Sequence, residues 1–256
     1  MMKKISVVII TLNEEKNISR CIESVTEVAD EIIVIDSHST DNTRDLSSGL
    51  GARVVETDWK GYADTKNYGN NLARYDYILS LDADEALSDE LKQSIKSNKE
   101  KGLEKDAYSM NRLTNFCGRW IRHGGWYPDL KTRLWKKGRA RWSGTIHEKL
   151  ILTDNKKAEM LHGELLHFAF SDIGQHISQI NRFSSLAAER AYKKNKKTGI
   201  VGIIGRSYWK FLRDFVVRAG FLDGYYGYVI ARNSAHATFL KYAKLRELNK
   251  TNERGG

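Results

Sequence analysis

The chain has 256 residues, of which 41% are hydrophobic and 29% charged, as is typical of a soluble globular protein of one or two domains. This composition excludes a disordered or collagen-like protein, and the two cysteines, Cys21 and Cys117, are too few for a disulfide framework. The net charge of +10 is uneven, because residues 176–256 hold 16 Lys/Arg against 5 Asp/Glu, a net of +11. A neutral front and a cationic, aromatic rear suggest two functions.

The first 85 residues alternate between strand and helix patterns. Apolar, β-branched runs predict strands at 5–11, 31–35, 53–57 and 77–81. Asn13 is the predicted cap of the first intervening helix. The alternation predicts an α/β fold with a doubly wound parallel sheet. No run reaches the roughly 18 apolar residues that a membrane span needs, so we expect a cytoplasmic or peripherally attached protein.

Polar side chains close three of these strands. Thr11, Asp36, Asp82 and Asp84 each lie at or just after the end of an apolar run. The carboxyl ends of parallel strands meet at one edge of a sheet, where such folds bind ligands. Asp82 and Asp84 repel each other unless a cation lies between them, and Mg²⁺ and Mn²⁺ prefer such oxygen ligands. The pattern predicts a divalent metal site; the alternative is a solvated acidic turn that starts a helix.

Taken together, these segments resemble a known family. Residues 6–14 (SVVIITLNE), 31–37 (EIIVIDS), 39–41 (STD) and 81–84 (LDAD) are similar to the motifs of glycosyltransferase family 2, whose members are GT-A enzymes with nucleotide-sugar donors. Within that family, the lipopolysaccharide-core β-1,4-glucosyltransferase group is the most similar. The resemblance covers roughly residues 4–170. It implies a GT-A-like, mostly parallel sheet in a catalytic domain, 1–172, and a C-terminal helical extension, 173–256.

The resemblance also assigns residues to the donor. Thr11 and Asn13 would shape the first nucleotide loop, and Asp36 would accept a hydrogen bond from the uracil ring N–H. Lys66 and Asn67 would face the ribose or the diphosphate. The alternative for Lys66 is an exposed helix lysine.

The metal assignments follow from the same resemblance. Asp82 would contact the ribose, or the metal through water, and Asp84 would bind the metal directly. His167 would be a further metal ligand, since related enzymes often supply a late histidine. The alternative for His167 is a core histidine with satisfied hydrogen bonds.

The general base has two candidates. An inverting sugar transfer needs a base that takes the proton of the acceptor hydroxyl. The family places an acid pair in the region of residues 142–148, whereas this chain has His147-Glu148. We therefore favour Glu148 as the base, with Asp129 as the competitor. A surface ion pair with Lys149 is the structural alternative for Glu148.

The last third predicts helices that carry both basic and aromatic residues. Cationic amphipathic helices with aromatic side chains lie well in a membrane interface, so we expect an anionic membrane surface as a partner. The alternatives are a helix packed on the catalytic domain with a solvated basic face, and a homodimer interface.

The combined prediction is an inverting glycosyltransferase that uses Mg²⁺ or Mn²⁺. It would move a hexose, glucose by resemblance, from a UDP-sugar to a lipid-linked or lipopolysaccharide-core glycan at the cytoplasmic face of the inner membrane. A sugar-phosphate nucleotidyltransferase is disfavoured, because the loop at residues 11–15 is acidic and lacks glycine. A nucleic-acid-binding protein that uses the basic C-terminal region leaves Asp36, Asp82 and Asp84 unexplained, and we expect no nucleic-acid partner.

Overall fold

The computed structural model describes residues 3–144, 148–153 and 157–254, and its fold is α/β. The strands are β1 (Ile5–Thr11), β2 (Glu31–Asp36), β3 (Arg53–Glu56), β4 (Tyr77–Asp82), β5 (Glu85–Leu87), β6 (Ala107–Phe116), β7 (Arg119–Ile121), β8 (Leu130–Lys136), β9 (Ala140–Ser143), β10 (Lys149–Leu152) and β11 (Glu159–Phe170). The helices are α1 (Ile18–Val25), α2 (Thr43–Gly49), α3 (Tyr62–Leu72), α4 (Asp89–Glu100), α5 (Ile173–Lys193), α6 (Ile200–Leu212) and α7 (Gly224–Arg254).

The main sheet joins a parallel block to an antiparallel block. Its strand order is β3-β2-β1-β4-β8-β6-β11-β5, with β7 paired to β6. The first four strands pair in parallel, whereas β8 pairs antiparallel with β4 and with β6. The predicted α/β sheet is confirmed, and its parallel pairing is found in the four strands that were read from the apolar runs.

The residues of β1 alternate between two cores. All seven residues of β1 are buried. Ile9 belongs to the core covered by α1 and α4, and Val8 belongs to the opposite core covered by α3. Helix α3 lies close to the sheet at Gly69, where a Cβ atom would lie 2.6 Å from Cγ1 of Val8. Helices on both faces therefore hold β1 and β4 in place.

The loop after β1 differs from its prediction. Helix α1 begins at Ile18, and Asn13 lies in the left-handed region with φ 54°. The Asn13 backbone N–H donates to Ser39 Oγ at 2.8 Å, and its Oδ1 accepts from the backbone N–H of Thr40 at 2.8 Å. The prediction that Asn13 caps the first helix is wrong, because its side chain ties this loop to the loop after β2.

The chain forms two compact units. The first comprises Met1–Leu113 and Asp129–Phe168, and the second comprises Thr114–Pro128 and Ala169–Gly256. The domains predicted from the sequence, 1–172 and 173–256, place residues 114–128 in the first domain. The compact units of the structure group these residues with the C-terminal helices instead.

The second unit is built on helices around an aromatic cluster. Phe116, Ile121, Phe170 and Ile230 form its buried core. His176 lies in this core with ring centroids 4.8 Å from Phe170, and burial lowers its pKa to about 4. The helices predicted for the last third of the chain are present as α5, α6 and α7.

Candidate functional site

Three predicted residues lie together at the carboxyl edge of the parallel strands. In the register of β1 with β2, Thr11 is opposite Asp36, and in the register of β1 with β4, Ile10 is opposite Asp82. Thr11 is 6% exposed, and its buried hydroxyl has no hydrogen-bond partner among the described residues. A buried, unpaired hydroxyl at a strand end is available to a polar ligand.

Asp36 is engaged by its own loop. Its side chain is fully buried, Oδ1 accepts from the backbone N–H of Ser39 at 2.8 Å, and Oδ2 accepts from Ser39 Oγ at 2.5 Å. The same Ser39 hydroxyl accepts from Asn13, so Asp36 fixes the two loops that flank the edge. In the structure Asp36 is a loop-holding residue, and its contact with a uracil ring stays a prediction.

Lys66 connects two separate parts of the site. Its side chain is fully buried in α3, and its Nζ lies 2.8 Å from Oδ1 of Asp82 and 3.0 Å from Oε1 of Glu148. The ammonium also lies 4.5 Å from the ring centroid of Trp142. The alternative of an exposed helix lysine is wrong, because α3 turns Lys66 towards the strand ends. This contact brings the favoured base, Glu148, close to Asp82; His147, beside it in sequence, lies outside the described residues.

Asp82 is also held from its other side. Arg133, on β8, places one guanidinium nitrogen 2.8 Å from Oδ2 of Asp82 and 2.6 Å from Oε1 of Glu85. Burial acts to raise the pKa of Asp82, but Lys66 and Arg133 outweigh it and hold that pKa well below its usual range. Burial opposes the charge of Arg133, yet Glu85 and Asp82 raise its pKa overall. Asp82 is thus a carboxylate whose two oxygens both have cationic partners.

Further ion pairs connect Glu85 to Asp129, the second candidate for the general base. Arg112 lies 3.5 Å from Oε1 of Glu85 and 2.9 Å from Oδ2 of Asp129, whose Oδ1 lies 2.9 Å from Nζ of Lys131. Alternating charges therefore link the two candidate bases. We call this series the charged edge; its members are Glu148, Lys66, Asp82, Arg133, Glu85, Arg112 and Asp129.

Sequence reasoning missed Arg133, Glu85 and Arg112. Glu85 could have been included among the candidate residues, because it directly follows Asp84 at the acidic end of a strand. The two arginines lie on β6 and β8, and their positions beside Glu85 depend on the antiparallel pairing of those strands. A buried charge needs a partner of opposite charge. An arginine within a predicted strand is therefore a signal that it pairs with a buried carboxylate elsewhere in the fold.

Asn67 bonds to the backbone of Trp142. Its Nδ2 donates to the carbonyl of Trp142 at 2.9 Å, and its Oδ1 accepts from the backbone N–H of Trp142 at 3.0 Å. Both polar atoms of the amide are therefore used on β9. The structure makes Asn67 a positioning residue for Trp142, and its contact with the donor stays a prediction.

Asp84 and His167 lie side by side, as the metal prediction requires. Nε2 of His167 lies 3.2 Å from Oδ2 of Asp84, because β11 pairs with β5 and sets His167 opposite Glu85. Among the described residues, no group of three or more His, Cys, Asp or Glu side chains is arranged to hold a metal. Mg²⁺ commonly takes one or two protein ligands and completes its shell with water and substrate phosphates, so this pair fits a metal that binds together with a diphosphate.

Further acidic groups surround this pair. Burial raises the pKa of Glu14, the hydrogen bond from Asn17 opposes that rise, and Asp84, Asp41 and Asp82 add to it. Several carboxylates therefore act on one another at the edge. Such a concentration of negative charge favours a cation.

The sequence model of Glycosyl transferase family 2 matches residues 6–160, which include the strand ends and the charged edge. The chain belongs to glycosyltransferase family 2. This family 2 chain is 34% identical to an uncharacterized glycosyltransferase of Rickettsia typhi, over 97% of this chain and 88% of the relative. The family 2 assignment makes it a transferase, as predicted.

A second relative, whose name states the pathway in which it acts, also matches this family 2 protein over most of both chains. The lipopolysaccharide core biosynthesis glycosyltransferase LpsC of Rhizobium meliloti is 28% identical over 94% of this chain and 91% of the relative. A solved structure of glucosyl-3-phosphoglycerate synthase from Mycobacterium tuberculosis, in complex with Mn²⁺, UDP and glucosyl-3-phosphoglycerate, is 25% identical over 44% of each chain with a TM-score of 0.36. That score is too low to transfer its ligands to this protein.

Proposed function

We propose that this protein is an inverting, metal-dependent glycosyltransferase that moves a hexose, glucose in the first instance, from a UDP-sugar to a lipid-linked or lipopolysaccharide-core glycan. The observation that carries the proposal is the buried Lys66, whose ammonium contacts both Asp82 and Glu148. It joins a strand-end carboxylate of the donor edge to a carboxylate able to act on an acceptor. The similarity to LpsC along most of both chains supports the class of acceptor.

Glu148 is the general base in this proposal. Its carboxylate takes the proton of the acceptor hydroxyl while that oxygen attacks the anomeric carbon and the bond to the diphosphate breaks. Lys66 contacts Glu148 at Oε1, and the Glu148 side chain is 20% exposed. Asp129 is the weaker candidate, because Arg112 and Lys131 occupy its two oxygens.

Asp84 and His167 are the residues proposed to hold the divalent cation. When bound, the cation supplies charge stabilisation to the departing diphosphate. Asp82 acts in this proposal through its ion pairs with Lys66 and Arg133, which keep it charged and fix its orientation. Thr11, whose hydroxyl has no hydrogen-bond partner in the described part of the chain, is the proposed contact to the base or ribose of the nucleotide.

The proposed location is the cytoplasmic face of the inner membrane, where a UDP-sugar and a lipid-linked acceptor would meet. Among the described residues, none of the helices has the length and apolar character to cross a membrane. The proposal therefore has the chain attached at the membrane surface.

A thermal-shift panel tests donor and metal together. The full-length protein is melted with UDP-glucose, UDP-galactose and UDP-N-acetylglucosamine, each with Mn²⁺ or with EDTA. A donor present at about 100 times its Kd stabilises the folded state by about 2.7 kcal/mol. We expect UDP-glucose with Mn²⁺ to raise Tm most, and EDTA to remove most of the rise.

A matched pair of variants makes the panel specific. Asp84→Asn should abolish the Mn²⁺-dependent part of the shift, whereas Asp89→Asn, at a carboxylate 90% exposed in its side chain, should keep it. An unchanged Mn²⁺ response in Asp84→Asn would contradict the metal assignment. Equal shifts with all three UDP-sugars would contradict the choice of glucose.

A further inference from the structure

An apolar surface in the second unit is exposed although it is rich in large side chains. Helix α6 buries only Ile203, while Val201 is 85% exposed, Ile204 60% and Tyr208 64%. Ile200, Ile204 and Tyr208 recur every four residues, so they lie along one side of the helix. Exposed apolar patches of this kind mark an interaction site.

The same character continues along the chain beyond α6. A short π-helix, Arg213–Val217, and a short 3₁₀ helix, Gly220–Asp223, connect α6 to α7. We call the exposed apolar residues of this stretch the α6 surface; its members, each more than half exposed, are Ile200, Val201, Ile204, Tyr208, Trp209, Val216, Val217, Phe221, Leu222 and Tyr225.

Basic residues lie next to this surface in the chain. Lys194, Lys196, Arg206 and Arg218 are exposed. Lys210 is excluded from this group, because its Nζ lies 2.6 Å from Oδ2 of Asp214. The stretch from residue 193 to residue 218 carries one acidic residue, the buried Asp214, so its outer charge is positive.

We propose that the α6 surface is a membrane-docking surface, which lies in the interface of an anionic bilayer with its apolar side chains among the upper acyl chains. Tyr208, Trp209 and Tyr225 are residue types that favour the headgroup level, and exposed Lys and Arg are attracted to an anionic leaflet. A second copy of this chain would bring like positive charge against this surface, which disfavours a dimer as its occupant.

The experiment is vesicle binding by the full-length protein. Co-sedimentation is measured with vesicles of phosphatidylcholine containing 30% phosphatidylglycerol, and with phosphatidylcholine alone, at low and high salt. We expect binding at least about tenfold stronger to the anionic vesicles, weakened by salt. In fluorescence, anionic vesicles should shift the emission of the wild type to the blue, and Trp209→Phe should lose most of that shift.

Two matched aspartate substitutions locate the binding. Ile204→Asp should lower vesicle affinity by about tenfold or more, because it places a charge where an apolar side chain enters the interface. Ile151→Asp, at an isoleucine 55% exposed on β10, should leave it unchanged. Unchanged melting temperatures and an unchanged UDP-glucose shift in Ile204→Asp would show that the fold and the donor site are intact, so the result does not depend on the proposed transferase activity.

Three outcomes would overturn the proposal. The first is equal vesicle binding by Ile204→Asp and wild type. The second is a wild-type dimer that Ile204→Asp converts to a monomer, with no vesicle binding by either. The third is salt-sensitive retention of an oligonucleotide without retention of anionic vesicles.

Discussion

The charged edge and the α6 surface use basic residues in opposite ways. At the charged edge, Lys66 and Arg133 are almost completely buried and each contacts two carboxylates. Around the α6 surface, Arg206 and Arg218 are exposed beside large apolar side chains. Buried charges are stable only when the fold supplies their partners, whereas exposed charges beside apolar groups suit a partner outside the chain.

The largest effect on the charged edge is expected from Lys66→Met. It leaves Asp82 with one cation fewer and Glu148 without its ammonium partner, and removal of one partner of a buried ion pair costs about 3–5 kcal/mol. We expect the free energy of unfolding to fall by about 3 kcal/mol, at the lower end of this range, because both carboxylates keep some contact with water. Urea unfolding measures the change.

The control is an ion pair on the surface. Lys96→Met removes a lysine that lies 2.8 Å from Glu27, with both side chains more than a third exposed. Such pairs contribute about 0–1 kcal/mol. If Lys66→Met and Lys96→Met lowered the free energy of unfolding by similar amounts, burial would not make the ion pairs of the charged edge stronger than an exposed ion pair.

The second effect concerns His176 in the aromatic core of the second unit. Its pKa falls from 6.5 to about 4 on folding because it is buried. The unfolded chain therefore binds a proton that the folded chain does not, and stability should fall as the pH drops from about 6.5 to 4, by about 3 kcal/mol in total. His176→Gln, which can still accept from Asn233, should flatten this slope.

The measurement is the free energy of unfolding at several pH values between 4 and 7. His236→Gln, at an exposed histidine of α7, should keep the wild-type slope. A wild-type slope in His176→Gln would mean that this histidine is not the group whose protonation lowers stability in that range.

The smallest of these effects is expected from Asn67→Ala. The change removes two hydrogen bonds to the backbone of Trp142, each with a net contribution of about 0.5–1.5 kcal/mol. We expect a loss of about 2 kcal/mol, whereas Asn71→Ala, at an exposed residue of the same helix, should cost less than about 0.5 kcal/mol. Thermal unfolding checks this prediction, and equal losses would contradict the positioning role of Asn67.

The sequence predicted the parts of the site that depend on local pattern. Strand β1 was predicted with its observed ends, and β4 was predicted to within one residue, because apolar runs and polar strand ends are local signals. The meeting of Thr11, Asp36 and Asp82 then followed from parallel pairing.

The rest of the site depends on contacts between distant segments. Arg133 reaches Asp82 because β8 pairs antiparallel with β4, and Asn67 reaches Trp142 across 75 residues of sequence. The local pattern of one sequence does not specify such pairings. The loop after β1 was wrongly predicted for the same reason, since Asn13 bonds to Ser39 and Thr40 rather than to the helix that follows it.

The most direct test of the account is transfer of labelled glucose from UDP-glucose to a glycolipid extract by Glu148→Gln and Asp129→Asn. Both changes keep the shape of the side chain, and removal of a general base lowers the rate by about 10²–10⁴-fold. We predict a loss of kcat of about 100-fold or more in Glu148→Gln with little change in UDP-glucose affinity, and a loss below about tenfold in Asp129→Asn. Full activity in Glu148→Gln, or the larger loss in Asp129→Asn, would contradict the assignment of the base.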